Sequence, residues 1–253
     1  MTTGALVSPA IETLADLHAR LGHVPLQHIR CHPAPGTATE ADVLVYPRGE
    51  KRLYELVDGV LVEKPMGYYE ALFAAILIRF LGSFLEALDL GLVLGADATL
   101  RLAPGLVRLP DVSFIAWKHF PNRELPAEPV PDLVPDFVVE VLSSGNTAAE
   151  MERKLQEYFV AGVRLAWYVY PEQRTVHVYT SPHDLRILHE ADRLDGGSVL
   201  PGFQLPIQQW FARARRRLAV GGATPSPMVY TPTEREASRR LKVLIWPVTR
   251  RWL

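Results

Sequence analysis

The run Phe137-Val138-Val139-Glu140-Val141-Leu142 sets one carboxylate in the middle of an otherwise apolar segment bounded by Pro135 and Gly145. An apolar run of this length, rich in β-branched residues, reads as a strand buried on both faces. Strands of that kind lie inside sheets that are covered on both sides. The pattern therefore directs the chain to an α/β or α+β architecture around a mixed central β-sheet flanked by helices. An unpartnered carboxylate there costs on the order of several kcal/mol. Glu140 needs a partner.

The flanking sequence supplies the other layers. Residues 10–24 (AIETLADLHARLGHV) have the spacing of a short amphipathic helix, and 31–41 form a Pro/Gly/Thr linker. RLYELV and VLVEKP surround Asp58-Gly59, a two-residue turn suited to positive φ, which predicts a β-hairpin. A long helix is expected over 69–90, strands over 92–102 and 111–117, and a Pro-rich loop over 118–135. Thr147 and Glu150 have capping-box spacing for a helix over 148–162. Strands at 164–170, 175–180 and 185–190 follow, then GGSVLPGFQLPI and a short helix over 207–217. The expected organisation is an N-terminal helix and linker (1–40), an αβ domain (41–217), and a linker with a basic tail (218–253).

Composition narrows the class. The most apolar segment, 69–90, is interrupted by Arg79 and Glu86, so it reads as a core helix and no membrane association is expected. The N-terminus MTTGALVSPAIETLADL lacks a basic region followed by an apolar one, so no signal peptide is expected. A single cysteine, Cys31, excludes an intrachain disulfide framework and fits a reducing cytoplasm. Net charge is −1, but residues 213–253 carry ten Arg and Lys against Glu234 and Glu236, which leaves −9 on the rest. Only the tail has the bulk charge of a phosphate-binding surface.

Two acids are candidate companions for Glu140. Asp136 shares its strand and face but lies roughly 13 Å away, too far to share one metal ion. Asp111, in LPDVSFI, opens another strand. Were the two strands neighbours, its carboxylate would lie about 5 Å from Glu140, within reach of one cation. On the following helix Thr147, Met151, Lys154, Tyr158 and Gly162 share one stripe. Lys154 thus points toward the sheet with Tyr158 beside it, although an exposed Glu150–Lys154 pair satisfies the same spacing. His28, Cys31 and His32 are metal-ligand types, but no second cluster completes a four-ligand zinc site.

Taken in order, ELVDG (55–59), VEKPMG (62–67), VRLPDVSF (107–114), PDFVVEVLS (135–143), EMERKLQEYFVAGV (150–163) and LPGFQLPI (200–207) resemble the Uma-two family of restriction-endonuclease-like proteins. This family is a branch of the PD-(D/E)XK nuclease superfamily, and the resemblance covers roughly one domain, 40–217. It implies a restriction-endonuclease-like core in which acids on adjacent strands hold Mg²⁺, or Mn²⁺, and activate water against a DNA phosphodiester. At matching positions it implies Asp111 and Glu140 as metal acids and Glu55 as an additional acid from the N-terminal side. The superfamily lysine two residues after the second acid is replaced by Leu142. The family pattern carries that lysine on the next helix, where Lys154 stands. Glu70, Asp97 and Tyr158 are expected to support the site. Analogy with other nuclease folds implies a homodimer. The competing expectation, prompted by Leu142 and the acidic body, is a nuclease-derived binding or scaffolding module without turnover.

Overall fold

The computed structural model describes residues 12–45, 52–65 and 67–214. The linker and basic tail expected at 218–253 lie outside the described residues. Leu14–Arg20 (α1) and Glu40–Val43 (α2) precede the hairpin of Leu53–Val57 (β1) and Val60–Lys64 (β2). Its register follows from the two-residue turn: Val57 faces Val60, Glu55 faces Val62 and Leu53 faces Lys64. Asp58 and Gly59 take φ of 51° and 71°, as a tight hairpin turn requires. A Cβ at Gly59 would also lie 2.6 Å from the Gly36 backbone, so glycine is needed there for space as well. The N-terminal segment docks on this hairpin, with Leu17, Leu21 and Val24 packed against Val57, Val60 and Val62.

The strand expected over 92–102 is two strands in two different sheets. Gly91–Gly95 (β3) ends in a turn closed by the Ala98 N–H on the Gly95 carbonyl, and Leu100–Ala103 (β4) starts afresh. Apolar residues continue on both sides of Asp97, which hides the corner. Gly105, at φ 75°, then reverses the chain into Leu106–Arg108 (β5), a hairpin the sequence reading did not contain.

Val112–Ala116 (β6), Phe137–Val141 (β7), Leu165–Tyr170 (β8), Thr175–Ser181 (β9) and Asp184–His189 (β10) complete the strands of the main sheet. Its order is β10-β9-β8-β7-β6-β3, with β7 parallel to β8 and antiparallel to β6. A four-stranded antiparallel sheet, β2-β1-β5-β4, stands beside it. Arg193–Gly196 (β11) and Leu200–Pro206 (β12) form a two-stranded ribbon.

Period two on β7 assigns its residues to two cores. Phe137, Val139 and Val141 join the core covered by Tyr68–Leu88 (α3) and Ile207–Ala214 (α5). By length and composition α3 is long enough and apolar enough to cross a membrane. It buries the stripe Phe73, Leu77, Leu81 and Leu85 in this core. Val138, on the other face, packs under Ala148–Ala161 (α4) with Met151, Leu155 and Tyr158. Glu140 and Leu142 lie on that same α4-facing side.

Candidate active site

Asp111 immediately precedes β6, where Val112 pairs with Val139 of β7. That antiparallel register carries Asp111 alongside Glu140, and its Oδ2 accepts a 2.6 Å hydrogen bond from the Val141 N–H. The bond fastens the start of β6 to β7 and holds the first acid next to the second.

The helix contributes the next groups. Thr147 caps α4 by accepting the Glu150 N–H at 3.0 Å, and its hydroxyl donates to the Gly22 carbonyl, which docks the helix on the N-terminal segment. The stripe that this start defines turns Lys154 inward. Its Nζ lies 3.4 Å from Glu140 Oε1 and 3.2 Å from Glu55 Oε1, and the residue is 4% exposed. The exposed Glu150–Lys154 pair is thus not the arrangement adopted. Tyr158 donates to the same Glu140 oxygen at 2.5 Å. No protein donor among the described residues engages Glu140 Oε2.

The hairpin contributes Glu55 and Lys64. Because Glu55 faces Val62, Lys64 is its diagonal neighbour on the same face. Lys64 Nζ lies 2.8 Å from Asp111 Oδ1 and also donates to the Leu109 carbonyl. Glu55 accepts from Arg108 Nη1 at 2.6 Å on Oε2 and from the Leu109 N–H at 3.1 Å on Oε1. Both its oxygens are committed within the protein. Arg108 also donates from Nε to Glu157 at 2.8 Å, Glu157 accepts from Arg153 at 2.7 Å, and Arg153 reaches Asp58 at 2.9 Å. A chain of ion pairs therefore links the cleft to the hairpin turn. Lys64 and Arg108 were not singled out in the sequence. The hairpin register alone would have placed Lys64 on the Glu55 face.

Together Glu55, Lys64, Glu70, Asp111, Glu140 and Lys154 border a cleft of about 30 Å³. Such a space holds an ion or a water and little else. Asp97 sits in the corner after β3 and does not line it. Asp136 is held elsewhere, by Lys118 at 2.7 Å, His119 at 2.9 Å and Arg164 at 3.3 Å.

Burial and pairing set opposite tendencies on the two glutamates. Burial raises the Glu55 pKa, but Lys154, Arg108, Lys64 and the Leu109 N–H outweigh it and bring it down to about 2. Burial raises Glu140 as well, and here Asp111 and Glu55 add to the effect while Lys154 and Lys64 only reduce it, so its pKa stays above the ordinary value. Lys154 would lose its proton more easily through burial, yet Glu140 and Glu55 overcome this and raise its pKa. It is charged at every physiological pH. Burial and the Glu140 charge hold Tyr158 well above the usual phenol range, so it remains a donor.

Among the described residues no group of three or more His, Cys, Asp or Glu side chains is arranged to hold a metal. The pair Asp111 and Glu140 nonetheless fits one hard cation. The donors are all oxygen, Glu140 Oε2 takes no protein donor, and Asp111 Oδ1 is held by the Lys64 ammonium alone. Glu55 does not fit, since Arg108 and the Leu109 amide occupy its oxygens.

The mixed sheet and its flanking helices have a counterpart among solved structures. A crystal structure from Anabaena variabilis ATCC 29413, described as a "putative nuclease belonging to DUF820", matches with a TM-score of 0.59 at 17% identity, over 66% of this chain and 93% of that one. At that identity the match shows the fold: a mixed α/β fold shared with that protein. The chain belongs to the Uma2 family, whose model, described as "Putative restriction endonuclease", matches residues 20–208. No curated protein matches the chain.

Proposed function

We propose that the chain is an endonuclease that hydrolyses DNA phosphodiester bonds at the Asp111–Glu140 cleft. The observation that carries this reading is the buried lysine, Lys154, held against Glu140 directly beside a second acid on the adjoining strand. Asp111 and Glu140 would hold Mg²⁺, with Mn²⁺ as an alternative ion. Bound there, the ion supplies Lewis-acid stabilisation of the phosphate and lowers the pKa of an attacking water. Lys154 presents a permanent positive charge where negative charge develops on the phosphate. Tyr158 fixes the Glu140 Oε1 atom. Glu55, clamped by Arg108, acts as a positioning residue for Lys154. Lys64 must leave Asp111 Oδ1 for that oxygen to serve as a ligand.

A specific observation supports a second reading, a binding module without turnover: Lys64 already neutralises Asp111, and Leu142 stands where the superfamily carries its lysine. Calorimetric titration of Mg²⁺ separates the two. Binding that is lost in Asp111→Ala and Glu140→Ala supports the nuclease, and no binding up to millimolar ion supports the module. Incubation of plasmid DNA in Mg²⁺ tests hydrolysis itself: cleavage by wild type and none by Asp111→Ala is the expected result, and equal cleavage by both removes the assignment.

A further inference from the structure

On the face of the main sheet that carries Glu140, α4 lies over β7 and β8. Beside it, over the outer strands, opens a cavity of about 740 Å³. Its floor is aromatic, for a reason that lies in the register. Tyr168 pairs with Glu140 on one side and with His177 on the other, so these three residues form a row across the sheet. Tyr170 and Tyr179 flank that row on the same face, each two residues along its own strand. The ring centroids of Tyr170 and His177 are 4.3 Å apart, and those of His177 and Tyr179 are 6.4 Å apart. All three rings are half-buried and line the cavity.

Position and charge narrow the occupant. His177 is two strands from Glu140, roughly 10 Å at the usual strand spacing. Ser143, Asn146 and Met151 border both the cavity and the acidic cleft, so the two adjoin. Among the described residues no Lys or Arg lines the cavity, whereas Glu152 and Glu172 do. Burial lowers the His177 pKa, which keeps its imidazole neutral at pH 7. A phosphate would find no cationic side chain here and would face two carboxylates. A flat, uncharged ring with amino donors meets stacking faces and carboxylate acceptors.

We infer that this cavity receives an unstacked nucleobase of the strand whose backbone runs over the Asp111–Glu140 cleft. The inference deepens the nuclease reading and rests on it for the position of the strand. A base enters only after leaving its own stack, so single-stranded or unpaired nucleotides bind better than intact duplex. Stacking on such rings is sequence-tolerant and strengthens binding by about tenfold per ring.

The test uses the full chain without metal and a short single-stranded oligodeoxynucleotide carrying one 2-aminopurine, a base analogue whose fluorescence reports stacking. Wild type should change the 2-aminopurine emission. Tyr170→Ala and Tyr179→Ala should each abolish that change and weaken binding about tenfold. Tyr170→Phe, which keeps the ring, should behave as wild type and guards against a folding defect. Equal affinity and emission change in the alanine variants, or no binding of the oligonucleotide, would overturn the inference. Free 2-aminopurine riboside binding as tightly as the oligonucleotide would also overturn it, by making the cavity a small-molecule site. Adding Mg²⁺ separates this inference from the nuclease reading. An oligonucleotide held through the tyrosines but never cut leaves the cavity assignment standing and defeats hydrolysis. One that is cut regardless of the tyrosines does the reverse.

Discussion

Lys64 Nζ sits 2.8 Å from Asp111 Oδ1, so one of the two adjoining acids of the cleft is already paired with an ammonium from the neighbouring hairpin. On the proposed nuclease reading, the lysine and a divalent ion would compete for that oxygen. Lys64→Met should therefore lower the stability of the metal-free protein by roughly 3 kcal/mol, the scale for leaving a buried charge unpaired. It should also enlarge the thermal shift on adding Mg²⁺. Melting curves with and without Mg²⁺ check both, and an unchanged shift would remove Lys64 as the competitor.

That competition shows where the sequence was legible. The Asp58-Gly59 turn determines the hairpin register, and the register puts Glu55 and Lys64 on one face. The four-three-four spacing from Thr147 turns Lys154 inward, and the apolar run around Glu140 marks β7 as an inner strand. The remainder depends on tertiary contacts that local spacing does not encode. Arg108 reaches Glu55 only because β5 pairs with β1, and β5 falls in the gap between the strands expected over 92–102 and 111–117. The same contact turned an expected metal ligand, Glu55, into a clamped carboxylate. Asp97, expected to support the site, sits in the corner after β3 and does not line the cleft.

Lys154 is flanked by two buried acids, so removing it takes a cationic partner from both, Glu140 keeping the Tyr158 hydroxyl and Glu55 keeping Arg108. Lys154→Met should destabilise the protein by about 3–5 kcal/mol. It should also push the Glu140 pKa higher still, because Lys154 is the largest influence opposing the effect of burial there. Chemical denaturation measures the first. A shift of the carboxyl titration by NMR measures the second, and no upward movement would contradict the pairing.

Glu55 should dominate acid sensitivity. Its pKa falls from 4.5 to about 2 on folding, so the unfolded chain binds the proton more tightly than the folded one. The stability this contributes is present above about pH 4.5 and is lost as pH falls toward 2. Glu55→Gln should be less stable at neutral pH, and its stability should depend less steeply on pH across that window. Denaturation midpoints at several pH values check the slope. An unchanged slope would mean that another carboxylate carries the acid response.

Glu140 has the opposite sign. Its raised pKa means that the folded protein binds the proton more tightly, so its contribution to stability declines as pH rises above the ordinary glutamate value. Mg²⁺ has to displace that proton, and metal-induced stabilisation should therefore grow from pH 5 to neutrality. Glu140→Gln should lose most of the metal effect at both pH values. A metal shift of equal size in wild type and variant would show that Glu140 is not a ligand.

The most direct test of the central claim is single-turnover cleavage of plasmid DNA in Mg²⁺ by wild type and by Glu140→Gln, the near-isosteric change at the acid inside β7. The account predicts cleavage by wild type and a rate lower by about a hundredfold or more in the variant, on the scale of losing a group that stabilises charge in a transition state. Melting curves would confirm that the variant is folded. Equal rates in the two folded proteins would contradict the account and leave Glu140 as a structural partner of Lys154 and Tyr158.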